Sequence, residues 1–228
     1  MYKKIWIYGS PFSGKTTFAV GAEDHFILST DGNAQYVTDN YKVITDEVTV
    51  NGRMTQRKLA WQVFKDEIEK LEMGSKYKTI VLDLCEDSFE SCRLFQYQKL
   101  GITHESDDSF RAWDKVRTEY LSTMRRFMNL PYDIILISHE DTSKDITKRS
   151  GENITAIKPN ITDKVANKLA GMVALVGRCV CDNGKYELHI KTDEVTFGGG
   201  RLGINNVVLP LDWNEVTKLF EDKMGGKK

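Results

Sequence analysis

Apolar residues fall along this chain in two alternating arrangements. Short unbroken runs such as Ile5-Trp6-Ile7-Tyr8, Phe26-Ile27-Leu28, Ile80-Val81-Leu82 and Ile134-Ile135-Leu136-Ile137 predict strands buried on both faces, over Lys3 to Tyr8, His25 to Ser29, Thr79 to Asp83 and Asp133 to Ser138. Elsewhere apolar residues recur every three or four positions. Trp61, Phe64, Ile68 and Leu71 predict a helix stopped by Gly74, and Trp113, Val116, Tyr120, Met124 and Phe127 predict one closed by Leu130-Pro131. Further helices are expected over Thr17 to Ala22, Ser88 to Leu100 and Thr162 to Ala170. Strands and helices in alternation make an α/β fold, a mostly parallel central sheet with helices on both faces.

The last third changes character. Val173 to Cys181 and Tyr186 to Thr192 flank the turn Asp182-Asn183-Gly184-Lys185, which predicts an antiparallel hairpin extending the sheet at its edge. A weaker hairpin signal covers Thr45 to Arg53 around Asn51-Gly52. Asp141 to Asn153 reads as a polar loop, and Gly101 to Ser109 as a polar, acidic segment. There are no internal repeats. The 228 residues suit a single core, which keeps growing to roughly 250 residues, so one domain is expected over 1–222 with a frayed tail at 223–228.

Into this pattern fits Gly9-Ser10-Pro11-Phe12-Ser13-Gly14-Lys15-Thr16, which matches G-x-x-x-x-G-K-[ST] between a strand and a helix, the context that a phosphate-cradling loop requires. Backbone N–H groups from Gly9 to Thr17 then face a polyphosphate, Lys15 reaches its β/γ oxygens, and the Thr16 hydroxyl ligates Mg²⁺. The expected cofactors are ATP and Mg²⁺.

Charge and cysteine narrow the field. With 33 acidic and 32 basic residues the net charge is -1, so any nucleic-acid contact is local. No apolar stretch approaches the roughly 18 residues that span a bilayer and no signal-peptide pattern opens the chain, so a cytoplasmic protein without membrane contact is expected. Cys85, Cys92, Cys179 and Cys181 form no C-x-x-C pair. Cys179 and Cys181 share one face of a strand and are read as buried structural residues, with no metal assigned.

In an open α/β sheet the ligand sits outside the carboxyl ends of the strands, which makes Asp31, Asp83 and His139 the residues to weigh. Asp83 is placed on or beside the nucleotide's Mg²⁺. Asp31, Glu86 and Glu140 are the acids available to deprotonate water, and a neutral His139 imidazole is read as a donor to the γ-phosphate. Arg125-Arg126 reads as a solvated face.

The motif at Ile7 to Phe18, with Phe26 to Gly32, Ile80 to Asp83 and Leu136 to Glu140, resembles the phage-encoded RecA-like P-loop ATPases, specifically the small Sak-type single-strand annealing proteins. The resemblance spans Lys3 to about Ile204. It implies that Lys15 and Thr16 serve the phosphates, that Asp83 serves Mg²⁺, and that Asp31 stands where RecA proteins keep a glutamate base, ahead of Glu86. His139 falls at the RecA glutamine that senses the γ-phosphate and feeds a DNA-binding loop, here a segment with Lys144, Lys148, Arg149 and Lys158. The resemblance further implies a homo-oligomer, with a single-strand DNA-binding protein as partner. It also implies a basic residue donated in trans, for which Arg201 after Gly198-Gly199-Gly200 is the candidate.

The expected function is an ATPase of phage recombination that binds single-stranded DNA and promotes annealing. A small-molecule or nucleotide kinase is the rival enzyme class, and a nucleotide-gated module without turnover is the third.

Overall fold

The computed structural model describes residues 2–103, 110–193, 195–201 and 203–225. Its centre is strand β1 (Lys4–Gly9), whose Ile5, Trp6, Ile7 and Tyr8 are fully buried because neither face of the sheet meets solvent there. The chain turns through the glycine loop into helix α1 (Lys15–Val20), then forms β2 (His25–Ser29) and β3 (Tyr41–Val43). A separate two-stranded ribbon, β4 (Glu47–Asn51) and β5 (Met54–Lys58), precedes α2 (Ala60–Glu72), so the weak signal at Asn51-Gly52 marks a real hairpin. Next come β6 (Thr79–Asp83), α3 (Cys85–Leu100), α4 (Phe110–Met128) and β7 (Asp133–Asp141).

Beyond β7 the expectation of a polar loop fails. Residues Asp145–Thr147 (β8) and Asn153–Thr155 (β9) pair as a small antiparallel ribbon, and Lys158–Pro159 (β10) returns along β7. Each piece is too short and too polar for alternation to register in the sequence. Helix α5 (Asp163–Ala170) leads into β11 (Leu175–Asp182) and β12 (Lys185–Ile190), the expected hairpin. Besides β3, three later elements were not anticipated: β13 (Gly199–Gly200), β14 (Val207–Pro210) and α6 (Trp213–Gly225). Helix α6 extends into the tail expected at 223–228, since residues 223–225 are helical; residues 226–228, and 104–109 of the acidic segment, lie outside the described residues.

The main sheet runs β14-β12-β11-β1-β7-β6-β2-β3, parallel from β11 to β3 and antiparallel beyond β11. Strand alternation divides the core into two. Trp6, Tyr8, Leu28, Leu82 and Leu136 face α2 to α5 on one side, while Ile5, Ile7, Val81, Ile135 and Ile137 face Phe18 of α1 and Trp213, Val216 and Phe220 of α6 on the other. Among the described residues no helix is long and apolar enough to cross a membrane.

This layout places every parallel strand's carboxyl end at one edge, with β1, β7, β6 and β2 adjacent. The polar residues that terminate them are thereby gathered within reach of the glycine loop.

Candidate active site

Gly9 opens the loop where β1 runs close beside β11: a Cβ there would lie 2.4 Å from the Cys179 carbonyl oxygen and 2.7 Å from Ser13 Oγ. No side chain fits. Gly14 takes φ +84°, a left-handed conformation that an L side chain resists. Between them Ser13 is buried, whereas Ser10, Pro11 and Phe12 form an exposed crest, and Thr17 is exposed on the first turn of α1.

Lys15 is only 6% exposed, and its ammonium sits in the hollow of the loop. Nζ donates to the carbonyls of Gly9 (3.0 Å) and Ser10 (2.7 Å). Burial pulls its pKa down, with nearby acids opposing. A cation held mainly by neutral carbonyls in a loop of backbone N–H groups is matched to a polyanion.

Thr16 Oγ1 donates to Asp83 Oδ2 at 2.8 Å, joining the first turn of α1 to the end of β6 across the intervening β7. Asp83 is 3% exposed, and burial pushes its carboxyl up from the usual 3.8 to about 6; Asp31 and Glu86 add to the rise, and the Thr16 hydroxyl and Lys15 oppose it. Thr30, one residue past β2 and not singled out in the sequence, holds this corner. Its N–H and hydroxyl donate to the Asp83 carbonyl (2.6 and 3.2 Å), its hydroxyl contacts Asp87 Oδ2 (3.0 Å), and it accepts from Leu84 N–H (2.8 Å).

Glu86 sits opposite Lys15 on the first turn of α3. Its Oε1 accepts from the N–H of His139 (2.8 Å) and from Nδ1 of the same residue (2.9 Å), while Oε2 is buried without a hydrogen-bond partner. An orphaned carboxylate oxygen carries a desolvation cost that a water or a hydrated cation relieves. The Glu86 hydrogen bond raises the His139 pKa. With Nδ1–H committed to Glu86, a neutral ring presents Nε2 as an acceptor, so only the protonated ring donates outward; this corrects the neutral donor expected from sequence.

Asp31 comes close to this group without joining it. Exposed at the end of β2, it accepts from Ser29 Oγ (3.0 Å), Asn33 N–H (3.0 Å) and Asn33 Nδ2 (2.7 Å), a local turn that occupies both oxygens. The geometry therefore ranks Glu86 ahead of Asp31 as a base, the reverse of the sequence expectation. Glu140 is committed elsewhere. Alternation along β7 turns it to the opposite sheet face from His139, where Arg178 Nε donates to it at 2.8 Å.

Other expected residues are not brought to the loop. Arg201 lies exposed by the amino end of β11, its guanidinium donating to the chain's own carbonyls at Val173 (3.1 Å) and Gly171 (2.6 Å). The glycines before it serve close packing rather than flexibility: a Cβ on Gly198 would meet Lys191 O at 2.5 Å and one on Gly200 Ile204 O at 2.8 Å. Of the basic segment, Lys144 and Lys158 pair with Asp163 and Lys148 with Glu152. Arg149 is exposed on the turn between β8 and β9. Cys179 is buried beside the loop but Cys181 is exposed, which corrects the expected buried pair. Arg126 is paired with Glu72 rather than merely solvated, beside a groove of about 460 Å³ at the amino end of the sheet, away from the loop.

The residues present fit a metal-bound nucleotide. Among the described residues no group of three or more His, Cys, Asp or Glu makes a ready metal site, so Mg²⁺ would be held by the Thr16 hydroxyl and Asp83 together with the phosphates it accompanies.

The raised Asp83 pKa makes a testable cost. A carboxyl whose folded pKa lies above its unfolded value contributes its stability below about pH 4 and loses it as the pH rises through about 6, a difference of roughly 3 kcal/mol. Without nucleotide, Asp83→Asn is expected to melt above the wild type at pH 7, by roughly 6–12 °C, with the gap closing toward pH 4; with Mg·ATP it is expected to lose Mg²⁺-dependent turnover. Equal melting temperatures at pH 7 would contradict the placement. Between the acids, Glu86→Gln is expected to lower kcat by roughly 10²- to 10⁴-fold and Asp31→Asn by less than about tenfold. A larger loss at Asp31 would reverse the assignment.

The family model described as an AAA domain matches residues 1–202. No curated protein matches the chain. Among solved structures 72 chains match, one of them from work on a prototypical ATPase from the type III secretion system of pathogenic bacteria, at 12% identity, TM-score 0.43, covering 79% of this chain and 51% of that one. This chain thus spans about half the length of that structure, a likeness too distant to bear on activity. On the extent of the family match, and with a phosphate loop at the carboxyl edge of a parallel sheet, the chain belongs to the AAA domain family of P-loop ATPases.

Proposed function

We propose that this ATPase is a phage recombination protein of the Sak-type annealing kind, which hydrolyses ATP, binds single-stranded DNA and works as a homo-oligomer, with a single-strand DNA-binding protein as partner. One observation carries the reading: the acid that faces the phosphate loop also grips the strand leading to the basic segment. Glu86 holds His139 at both N–H and Nδ1. The His139 carbonyl in turn accepts from Asn160 N–H (2.8 Å), and Glu140 and Asp141 pair in register with Pro159 and Lys158 of β10. Any change in charge or position at Glu86 therefore reaches the root of the β8–β9 ribbon within one residue.

In this scheme Lys15 neutralises the β/γ oxygens, and Thr16 and Asp83 would hold Mg²⁺, which would supply positive charge for the transferred phosphoryl group. Glu86 Oε2 accepts the proton of the attacking water, and protonated His139 donates toward the outermost phosphate.

The DNA footprint is assigned to Lys144, Lys148, Arg149 and Lys158. The ion pairs there do not argue against it, because exposed pairs contribute only about 0–1 kcal/mol and a phosphate displaces such a carboxylate at little cost. Homo-oligomer and protein partner rest on the family resemblance.

Hydrolysis measured with and without single-stranded DNA tests the proposal. Stimulation by DNA is expected, falling steeply with salt and lost when Lys144, Lys148 and Arg149 are all changed to Ala, with ATP affinity unchanged. A rate indifferent to DNA, with a phosphorylated small molecule formed, would make the protein a kinase instead.

A further inference from the structure

The flank of α1 away from the acids carries a feature that phosphate binding does not use. A Cβ on Gly14 would lie 2.9 Å from Tyr186 Cδ1, 3.0 Å from Leu211 Cδ2 and 3.3 Å from Tyr186 Cε1, so the ring edge of Tyr186 and the tip of Leu211 rest on the loop backbone itself. Leu211 N–H donates to the Tyr186 carbonyl at 3.0 Å, fixing the pair as one wall formed by β12 and the residue after β14. Tyr186 remains 46% exposed, a large aromatic surface at the rim of the site.

Which end of a nucleotide meets that wall follows from α1. Thr16 points to Asp83, and Asp83, Glu86 and His139 all stand on the β6–β7 side. Thr17 and Gly21, four residues apart, share another side, and a Cβ on Gly21 would lie 3.9 Å from Trp213 Cβ. That side therefore faces the Leu211-to-Trp213 turn, and Thr17 lies exposed upon it. A polyphosphate whose outermost group lies among the acids leaves its nucleoside on the Thr17 side, against Tyr186.

We propose that Tyr186, backed by Leu211, is the platform on which the base of the bound nucleotide stacks; this rests on the nucleotide-binding reading above. Stacking reads the face of a base rather than its edge, so the platform adds affinity for purine nucleotides in general without choosing between adenine and guanine. Two other exposed rings lie at this edge: Phe12 on the loop crest (96% exposed), and Tyr36 after β2 (79% exposed), a strand on the opposite side of β1 from β12.

Calorimetric titration of the full chain with Mg·ATP, Mg·GTP and inorganic tripolyphosphate tests this directly. Tyr186→Ala is expected to weaken ATP and GTP by about tenfold while tripolyphosphate binding stays within about twofold of the wild type, and Tyr186→Phe, which keeps the ring, to bind all three as the wild type does. Equal loss for nucleotides and tripolyphosphate would reduce Tyr186 to a prop for the loop and overturn the proposal. So would unchanged ATP affinity in Tyr186→Ala, or a nucleotide-specific loss in Tyr36→Ala or Phe12→Ala instead. A wild type that binds neither ATP nor tripolyphosphate would overturn the nucleotide reading as well.

Discussion

A single hydroxyl, that of Thr16, meets a carboxylate that has almost no contact with water. The Thr16–Asp83 hydrogen bond joins the helix after the phosphate loop to a strand two places away in the sheet, and the active-site geometry follows from that bridge. Asp83 is tolerated there because Thr30 closes its backbone and Thr16 its side chain, yet burial still lifts its pKa to about 6. Burial disfavours the ionised carboxyl, a cost that a cation held there by Thr16 and Asp83 would relieve, since a positive charge favours the ionised form. Stability is given up at the point where function needs an acid.

Strand alternation does the remaining sorting. On β7, Ile137 and His139 share the face of α1, while Leu136, Ser138 and Glu140 share the opposite face. Glu140, adjacent to His139 in sequence, is thereby removed to Arg178, and Glu86 is left as the acid whose free oxygen is buried at the loop. The same strand pairs antiparallel with β10, so His139 and the root of the ribbon with the basic residues belong to one hydrogen-bonded unit.

The sequence made the buried strands and the loop legible because each has a strong local signature: unbroken branched residues in β6 and β7, and two glycines with Lys15 and Thr16 between strand and helix. What it left hidden depends on hydrogen bonds between distant segments. Asp31 and Glu86 are both acids after strands; what distinguishes them is that Ser29 and Asn33 occupy the exposed Asp31, while Glu86 Oε2 is buried without a partner. Arg201 follows three glycines, a composition that reads as a loop, but Gly198 and Gly200 are there because the backbone of Lys191 and Ile204 leaves no room for a Cβ. Helix α6 was legible in principle: Trp213, Val216 and Phe220 recur at helical spacing after Asp212, whose side chain accepts from Asn214 N–H at 2.6 Å. The basic segment had no reliable signal, because its ion pairs with Asp163 and Glu152 form across turns.

The central claim is that the loop from Gly9 to Thr16 binds the phosphates of a nucleotide through the buried Lys15. Equilibrium binding of Mg·ATP to Lys15→Ala, alongside the wild type and with the melting temperature of each recorded, tests it most directly. The account predicts a loss of affinity of at least about tenfold in a protein that remains folded, because a charged hydrogen-bond donor to the phosphates is gone. Wild-type affinity in a folded Lys15→Ala variant would contradict it.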